Sequence, residues 1–500
     1  MMDGINPVSL AIVIIYMSML AFIGWISRNK VKSCSDWYVG NFQIGGVIMG
    51  VAFFATYFSA VLMVGFAGSA SKWGMSATVI GMWHPVAALI AFAVLAPTLA
   101  KMFRSLGAMT FSEFLTLRFK SQLLGSLSSL LTAIFIIPYT VSAFLAMGTA
   151  LSLLVNMPIW VGIVASGIII ALYVFTGGLF SATLAEFLQG IIMTVAVVCV
   201  WTVSYSILGG FLPAHEALAS ISISAVTFPA LGSPLWTTMI GLTAVMGFGM
   251  LAQPQMVLRY STICSKMDVK KAMVIAVFGS LIFPLAAYSY GPLSRAILAL
   301  PEYGIDVMTI ANDNVIIPTF VNLALPSWLA ALFLIGILGA AVSTIDALVH
   351  LMAGTVTRDL IIPILKPKIT DKGQLNTTKV LSLVLSLGSC IVAAIFSTGL
   401  IYQLASYTWR VLASAFMGPI LAAVFIKGAN KTGALTGMVV GFLSSQLWYL
   451  YSNNIWLAIF NVAKCPIDPF FIGVPLSIIA TVIGNRFGKA PEDIVKLLFK

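Results

Sequence analysis

Long apolar segments recur along almost the whole chain, and they constrain its fold more than any other feature. We place thirteen of them at 8–25, 43–68, 77–100, 123–153, 158–176, 182–208, 235–257, 269–291, 327–356, 377–397, 399–426, 433–452 and 467–485, with a shorter apolar piece at 315–323. A transmembrane α-helix needs roughly 20 apolar residues, and the segments lack the alternation found in membrane barrels. The sequence therefore predicts an all-α polytopic membrane protein with about 13 transmembrane helices.

The amino-acid composition excludes a soluble protein. Hydrophobic residues make up 60% of the chain and charged residues only 8%, whereas a soluble domain carries roughly a quarter charged residues. A lipid bilayer is therefore the expected surrounding of the chain, and the cell membrane is its expected location.

Most basic residues fall in alternate loops between the predicted spans. Of the 26 Lys and Arg residues, 22 lie in one set of loops, Lys72, Arg295 and Lys464 lie in the other set, and Arg410 lies within a span. Cytoplasmic loops carry the excess of Lys and Arg, so we expect the N-terminus outside and the C-terminus in the cytoplasm, as an odd number of spans requires. The net charge of +11 thus reflects membrane topology and implies no nucleic-acid partner.

Signatures of other function classes are missing from the sequence. The first apolar segment is preceded by Asp3 and by no Lys or Arg, the reverse of a cleavable signal peptide. The five cysteines are scattered without CxxC or metal-ligand spacing, and no phosphate-binding glycine loop, GxSxG or HExxH motif is present. These absences argue against an ATP-driven pump and an intramembrane enzyme, and they leave an ion gradient as the expected energy source.

Two apolar segments, 50–68 and 244–255, contain Gly or Pro residues that loosen a helix near its middle. Each opens a block of five predicted spans, and the charge distribution starts the two blocks on opposite sides of the membrane. Interrupted helices at matching positions of two oppositely oriented halves indicate an inverted-repeat transporter. The predicted domains are 1–42, an N-terminal peripheral helix and cytoplasmic loop; 43–208 and 235–426, the two repeats; and 427–500, the C-terminal peripheral helices and cytoplasmic tail.

The segment 336–350 places two hydroxyls and a carboxylate inside an apolar run, where polar groups are costly and usually functional. On a helix, Ala340, Ser343 and Thr344 share one face. Two hydroxyl oxygens and a free carbonyl, brought near a broken helix, would suit a small hard cation such as Na⁺. The alternative is a stripe of small residues that packs on a neighbouring helix, with the hydroxyls bonded to their own turn.

Six motifs along the chain are similar to those of one family. They are Asp36-Trp-Tyr-Val-Gly40, the loop from Thr110 to Phe119, Thr176-Gly177-Gly178 followed by Glu186-Phe-Leu-Gln189-Gly190, Gln253-Pro254-Gln255 with Arg259, Ser343-Thr344-Ile-Asp346, and Asn430-Lys-Thr-Gly433-Ala434. In this order they resemble the sodium:solute symporter family, and the pantothenate, monocarboxylate and proline branches are most similar. The resemblance implies a leucine-transporter-type fold with a 5+5 inverted-repeat core.

The resemblance also implies a sodium site between the broken first core helix and the eighth core helix. The matching ligands in this chain are the backbone carbonyls of Ala55, Phe58 and Ala340 and the hydroxyls of Ser343 and Thr344. Some members of the family hold a second sodium beside an acidic residue. Here that position holds Glu186 in place of Asp, and Asp346 follows the Ser-Thr pair. A second ion site, an intracellular gate and a simple pairing of Glu186 with a cation all stay open as roles.

By resemblance, the solute lies at mid-membrane around the two broken helices and the third and tenth core helices. The candidate contacts are Tyr57, Tyr139, Met246, Phe248, Gln253, Tyr407 and Trp409. Met246 and Met250 replace aromatic residues of the proline branch, which argues against a tight proline pocket. Val61 and Leu62 replace polar residues of the sugar branch, which argues against a sugar. For each candidate, simple packing is the alternative.

Arg410 is the most unusual residue of the predicted spans. An arginine at this depth needs an anion, a cluster of carbonyls or water. A carboxylate solute held by two parallel hydrogen bonds would satisfy it; the alternatives are an ion pair with Glu186 or Asp346, or an extended side chain that reaches the membrane surface. His84 and His350 could titrate, and a structural hydrogen bond is the alternative for both.

The sequence thus predicts a secondary active symporter that couples inward Na⁺ flow to the import of a small organic solute, with a carboxylate as the expected class. Proline-type or other amino-acid symport and proton coupling through Asp346, Glu186 or His350 are the alternatives. Outside transport, a sensor without transport activity or a channel remains. Na⁺ is the expected ion and the solute the expected partner, and the sequence indicates no protein partner.

Overall fold

The computed structural model describes residues 7–27, 31–365, 368–396, 401–452 and 467–499. These residues are helical almost throughout and form no strand beyond a single bridge between Ile44 and Ile263. The first half contains α1 (Pro7–Ser27), α2 (Cys34–Val39), α3 (Gly46–Tyr57), α4 (Ala67–Trp73), α5 (Thr78–Met82), α6 (His84–Ile90), α7 (Ala96–Leu106), α8 (Phe111–Phe119), α9 (Gln122–Val155) and α10 (Ile159–Ile207). The second half contains α11 (Phe211–Ile221), α12 (Pro234–Leu242), α13 (Pro254–Ser261), α14 (Lys266–Leu298), α15 (Ile316–Ala324), α16 (Ser327–Thr355), α17 (Ile362–Leu365), α18 (Asp371–Ile395), α19 (Ile401–Phe425), α20 (Lys431–Ser452), α21 (Phe470–Gly484) and α22 (Glu492–Leu498).

Several of these α-helices continue directly into π-helical or 3₁₀-helical turns. The π-helical turns are Val61–Phe66 before α4, Ala91–Leu95 between α6 and α7, Thr243–Gly247 after α12 and Val356–Ile361 after α16, and a 3₁₀ turn at Phe248–Ala252 precedes α13. Such turns disturb the regular backbone ladder and are frequent at functional sites. The turns at Val61–Phe66, Thr243–Gly247 and Phe248–Ala252 coincide with the two segments that the sequence marks as interrupted.

Helices lie at all thirteen predicted positions within the described part of the chain. Nine of the described helical segments are long and apolar enough to cross a membrane, or ten when the bent pair Gly46–Tyr57 and Val61–Trp73 counts as one span. The apolar stretches Leu10–Trp25 and Ile159–Phe175 are shorter. The all-α polytopic class is therefore confirmed, whereas thirteen crossings stay a prediction.

α10 joins two predicted spans, 158–176 and 182–208, across a break at Gly178. Gly178 has a φ of +68°, a conformation that side chains other than glycine rarely adopt. A Cβ at this position would lie 3.0 Å from the ring of Trp37. The glycine thus lets the chain turn between the two spans while α2 packs directly against the bend.

The broken helix α3 lies in the centre of the bundle, between α10 and α14. α16 packs against α9 and α10, and α19 packs against α9. Gly279 of α14 meets Phe54 so closely that a Cβ there would overlap the ring. α20 and α21 pack on each other and on α19, so they form a layer beside the central helices.

Candidate ion and solute sites

The helical ladder of α3 ends at Tyr57, in the middle of a predicted span. Phe58 is extended, with φ −103° and ψ 109°, and its N–H donates to the Phe54 carbonyl at 2.8 Å. The next helical turn begins at Val61, whose N–H donates to the Ser59 hydroxyl oxygen at 3.2 Å. Ser59 thus caps the second half-helix, and the carbonyls at the end of the first half are released for other partners.

One of these released carbonyls meets α16. The Ser343 hydroxyl lies 2.9 Å from the Ala55 carbonyl oxygen and 3.1 Å from the Ala340 carbonyl oxygen. The Thr344 hydroxyl donates to the same Ala340 carbonyl at 3.0 Å. All four residues are fully buried. Carbonyl and hydroxyl oxygens are ligands that hard cations prefer, so this group has the chemistry of a sodium site.

The fifth expected ligand, Phe58, lies at the break but is joined to this group by no hydrogen bond within the described residues. The hydroxyls of Ser343 and Thr344 do bond to their own turn, as the packing alternative proposed. Ser343 reaches α3 as well, which a packing stripe alone does not require. The structure therefore brings four of the five expected ligands together.

A buried charged cluster formed by α10, α13 and α16 includes Asp346, which follows the Ser343–Thr344 pair on α16. The Arg259 guanidinium of α13 forms an ion pair with Glu186 of α10, and it also donates to the Thr183 hydroxyl at 3.0 Å. Arg259 is close enough to Asp346 of α16 to attract it, and the Tyr173 hydroxyl interacts with the same carboxylate. A guanidinium that the chain itself supplies thus occupies this cluster, paired with Glu186 and within electrostatic range of Asp346.

His350 lies one turn beyond Asp346 on α16. Its Nε2 is 3.3 Å from the Tyr38 carbonyl oxygen, and its ring stacks on Trp37 at a centroid distance of 4.1 Å. The structural hydrogen bond proposed for this histidine is therefore present.

A cavity opens between the two broken helices. Its lining residues are Tyr57, Phe58, Ser59, Val61, Leu62, Phe66, His84, Tyr139, Met246, Tyr288, Ala405 and Trp409, and the space between them, with its open mouth, is about 330 Å³. Tyr57 and Trp409 stack at a centroid distance of 5.5 Å, and Trp409 meets Tyr139 edge-on at 6.3 Å. Four of the predicted solute contacts, Tyr57, Tyr139, Met246 and Trp409, thus lie on one cavity.

Three other predicted contacts lie outside this cavity. Phe248 packs on Trp83 at a centroid distance of 5.8 Å. The Gln253 side chain donates to the Trp409 carbonyl at 2.9 Å, and the Tyr407 hydroxyl donates to Gln446 at 2.6 Å. Gln253 therefore acts on the cavity only by holding Trp409.

Arg410 does not line the cavity. Its guanidinium forms an ion pair with Asp468, with Nε–oxygen distances of 2.8 and 3.0 Å, and it donates to the Ser406 hydroxyl at 2.8 Å. The alternative pairing with Glu186 or Asp346 is wrong, because the guanidinium pairs with Asp468, just before α21. Since this carboxylate satisfies the guanidinium, the argument that Arg410 binds the solute no longer holds.

A sequence profile of the sodium:solute symporter family matches residues 37–441. The chain belongs to the sodium:solute symporter family. This symporter is accordingly a multi-pass membrane transporter and not an enzyme, and sodium is its coupling ion. Its solute is a small molecule.

Several curated proteins are similar to this symporter over nearly their whole length. The osmoregulated proline transporter OpuE of Bacillus subtilis is 25% identical, with 95% of each chain covered. The sodium/pantothenate symporter of Escherichia coli is 25% identical, with 92% of each chain covered. A sodium/proline symporter of Staphylococcus aureus is 25% identical, covering 96% of this chain and 93% of the relative.

Solved structures show the same fold. A Na⁺-coupled sialic acid symporter in a substrate-bound outward-open state superposes with a TM-score of 0.76 at 17% identity, covering 97% of this chain and 98% of that chain. A nucleobase-cation-symport-1 family transporter superposes with a TM-score of 0.55 at 13% identity, covering 94% and 97%. The leucine-transporter-type fold implied by the sequence motifs is confirmed.

Sequence reasoning missed part of the cavity wall of this symporter. Ser59, Phe66, Tyr288 and Ala405 line the cavity but stand in apolar runs that give no local signal of a site. The sequence marked His84 as a residue that could titrate or form a structural hydrogen bond, and not as part of the cavity wall. That bond exists, with Nδ1 3.2 Å from the Gly81 carbonyl oxygen, and the ring also faces the cavity.

Proposed function

We propose that this symporter uses the inward sodium gradient to import a small solute that carries a carboxylate. The sodium ligands are the carbonyls of Ala55, Phe58 and Ala340 and the hydroxyls of Ser343 and Thr344, and the solute binds in the cavity at the two helix breaks. In this proposal the protein lies in the plasma membrane, with its N-terminus outside and its C-terminus in the cytoplasm. The repeats 43–208 and 235–426 move against each other to expose the site alternately.

The observation that carries this proposal is that one helix break serves both sites. The Ala55 carbonyl contacts Ser343, and Tyr57, two residues further on, lines the cavity. A cation bound at Ala55 therefore fixes the backbone that shapes the solute pocket. Coupling requires that the ion bind one conformation more tightly than the other, and a shared break provides a direct physical route for it.

The N-terminal start of the helical turn after the break supports a carboxylate as the group of the solute that binds there. Ser59, Val61 and Leu62 line the cavity at the N-terminal end of the turn that leads into α4. The N–H groups of Val61 and Leu62 are already bonded to Ser59, so this helix start contributes its partial positive charge, which favours anions. No Lys or Arg is among the described lining residues, so the sodium ion and this helix end would balance the charge of the carboxylate.

An amino acid is the second candidate, and the aromatic wall of the cavity favours it. Tyr57, Tyr139 and Trp409 surround the same space, and aromatic faces attract ammonium groups. Pantothenate and proline, the solutes in the names of the relatives, both carry a carboxylate. The two candidates therefore differ in the rest of the molecule.

Uptake by the purified protein in liposomes tests the proposal. Labelled pantothenate and proline are each compared with the analogue that lacks the carboxylate, panthenol and prolinamide, with and without an inward Na⁺ gradient. We expect accumulation of at least one acid only when the gradient is present, and no accumulation of its analogue. Equal accumulation of an acid and its analogue would contradict the carboxylate, and uptake that persists with choline in place of Na⁺ would contradict the coupling.

A further inference from the structure

His84 is the only histidine among the described residues that line the cavity. It begins α6 directly after Trp83, the residue that separates α5 from α6. The side chain is buried, and its ring lies 5.1 Å from the ring of Tyr57 and 5.4 Å from the ring of Phe58 between centroids. The imidazole is thus held between the helix break and the solute space.

The hydrogen bond of His84 determines which ring nitrogen carries the proton. Nδ1 lies 3.2 Å from the Gly81 carbonyl oxygen. A carbonyl can only accept a hydrogen bond, so Nδ1 must be the donor. No Asp or Glu lines the cavity within the described residues, so nothing there would stabilise an imidazolium. The neutral ring then presents the lone pair of Nε2 as an acceptor.

Two of the three tyrosine hydroxyls of the cavity, those of Tyr57 and Tyr139, already have partners within the protein. The Tyr57 hydroxyl donates to the Met246 carbonyl. The Tyr139 hydroxyl interacts with Ser59 and with the Trp409 indole. The structure gives Nε2 of His84 no hydrogen bond to any described residue. Nε2 is not among the fully enclosed unpaired atoms of the described residues, and His84 lines the cavity. An acceptor that faces this space takes its donor from whatever fills the cavity.

We propose that Nε2 of His84 accepts a hydrogen bond from an N–H or O–H group of the transported solute. This inference rests on the proposed function, because it adds a second required group to the carboxylate. The solute class is then an amino, imino or hydroxy acid. A simple monocarboxylate without such a donor would leave Nε2 unpaired, and a site built around a hydrogen bond rejects such an analogue strongly.

Binding to the purified protein in the presence of Na⁺, followed as a ligand-dependent rise in the thermal midpoint, tests this with matched pairs. Lactate and propionate differ by a hydroxyl, and proline and cyclopentanecarboxylate differ by an N–H. For at least one pair we expect the donor-bearing member to bind about tenfold more tightly or better. The apolar variant His84→Leu should bring that ratio close to one, and His84→Gln, which offers an amide oxygen, should restore part of it.

His84→Leu is compared with His215→Leu. His215 has the same kind of bond, with Nδ1 2.8 Å from the Phe211 carbonyl oxygen, but it is only half-buried, on α11 and outside the cavity. The His215 variant should keep the wild-type ratio. A wild-type ratio near one, or a ratio that survives His84→Leu, would overturn the role of His84. Equal loss of both members of a pair, with the Na⁺-induced rise in midpoint retained, would also overturn it, since the ring would then serve the carboxylate or the cavity shape.

A third pair without a carboxylate, prolinamide and cyclopentanecarboxamide, separates this inference from the proposed function. If only this pair binds and shows a preference that His84→Leu abolishes, His84 is the acceptor and the carboxylate is wrong. If the acids bind with no donor preference, the proposed function stands and the role of His84 fails. If no member of any pair binds, both are refuted for these solute classes.

Discussion

At the scale of single residues, Ser343 and Thr344 differ in what their hydroxyls join. The Ser343 hydroxyl bridges α16 to the Ala55 carbonyl of α3, whereas the Thr344 hydroxyl bonds only to Ala340 in its own turn. Both are proposed ligands of sodium, but only Ser343 also connects the two helices. The two side chains should therefore be separable by experiment.

We expect Ser343→Ala and Thr344→Ala each to weaken the apparent Na⁺ affinity about tenfold or more, or ~1.4 kcal/mol, because each removes one oxygen ligand. Ser343→Ala should lower the thermal midpoint as well. The Na⁺ dependence of initial uptake rates in liposomes measures the affinity. Ser382→Ala is the matched control, since that buried hydroxyl bonds only to the Lys379 carbonyl of its own helix at 2.7 Å. Unchanged Na⁺ dependence in both variants would rule out this ion site.

Substitution of Arg410 shows whether its buried charge contributes to protein stability or to binding of the solute. Because Arg410→Met leaves the carboxylate of Asp468 without a cation, we expect a loss of stability of ~3–5 kcal/mol, with solute affinity unchanged. The double variant with Asp468→Asn should recover most of the loss, since Asn keeps an oxygen for the Phe470 N–H that Asp468 accepts at 3.0 Å. Thermal unfolding and solute binding are measured on the same samples. A solute affinity lost at full stability would return Arg410 to the binding site.

At the scale of helices, the sequence located both interruptions, but with different accuracy. In the second, Pro254 follows an extended Gln253, as the restriction on residues before proline predicts. In the first, the break falls at Phe58 and Ser59, between the glycines that marked the segment. Here the Ser59 hydroxyl caps the next turn. A single serine inside an apolar run does not by itself predict a helix cap, so the sequence did not locate the break at this residue.

Contacts between distant helices were the part that the sequence could not predict. Arg410 and Asp468 are 58 positions apart, and no periodicity relates them, because the pairing depends on how α19 packs beside the start of α21. The same holds for His84, because the sequence does not show that the helix start after Trp83 places this side chain on the cavity. The sodium ligands were easier, because Ser343 and Thr344 lie within one turn of Ala340 and the family motifs marked them.

The ion pair between α10 and α13 makes a prediction about the order of two variants. Arg259 pairs with Glu186 and also attracts Asp346. Arg259→Met therefore leaves two buried carboxylates without a cation, whereas Glu186→Gln leaves Arg259 with Asp346 and the Thr183 hydroxyl. We expect Arg259→Met to lower the thermal midpoint more than Glu186→Gln. Unfolding in one detergent at one pH measures this, and the reverse order would show that Arg259 does not serve both acids.

At the scale of the whole molecule, two separate ion pairs join segments that are distant in the sequence. On one side, Lys72 forms an ion pair with Asp313 at 2.7 Å and donates to the Ile310 carbonyl at 2.6 Å, which holds the segment before α15 against α4. On the other, Arg358 forms an ion pair with Glu113 at 2.7 Å. The distribution of basic residues predicts that Lys72 lies outside and that Arg358 lies in the cytoplasm.

Membrane topology is therefore a prediction that applies to the whole chain. With thirteen crossings, a fluorescent protein fused to the C-terminus should be folded and bright in the cytoplasm, and a protease-sensitive tag at the N-terminus should be cleaved in intact cells. The reason is that the loops rich in Lys and Arg stay on the cytoplasmic side. A tag at residue 120 that is accessible from outside would invert the orientation, and two termini on the same side would require an even number of crossings.

The pair of Arg410 and Asp468 also bears on how far this transporter could be shortened. A chain that ended after α20 would keep every proposed sodium ligand and every described wall residue of the cavity. It would also leave the Arg410 guanidinium of α19 without the carboxylate of Asp468, in a helix that would then face lipid at this position. Asp468, just before α21, thus neutralises the charge of Arg410 in α19. A minimal carrier built from the two predicted repeats alone would need Arg410 to be replaced as well.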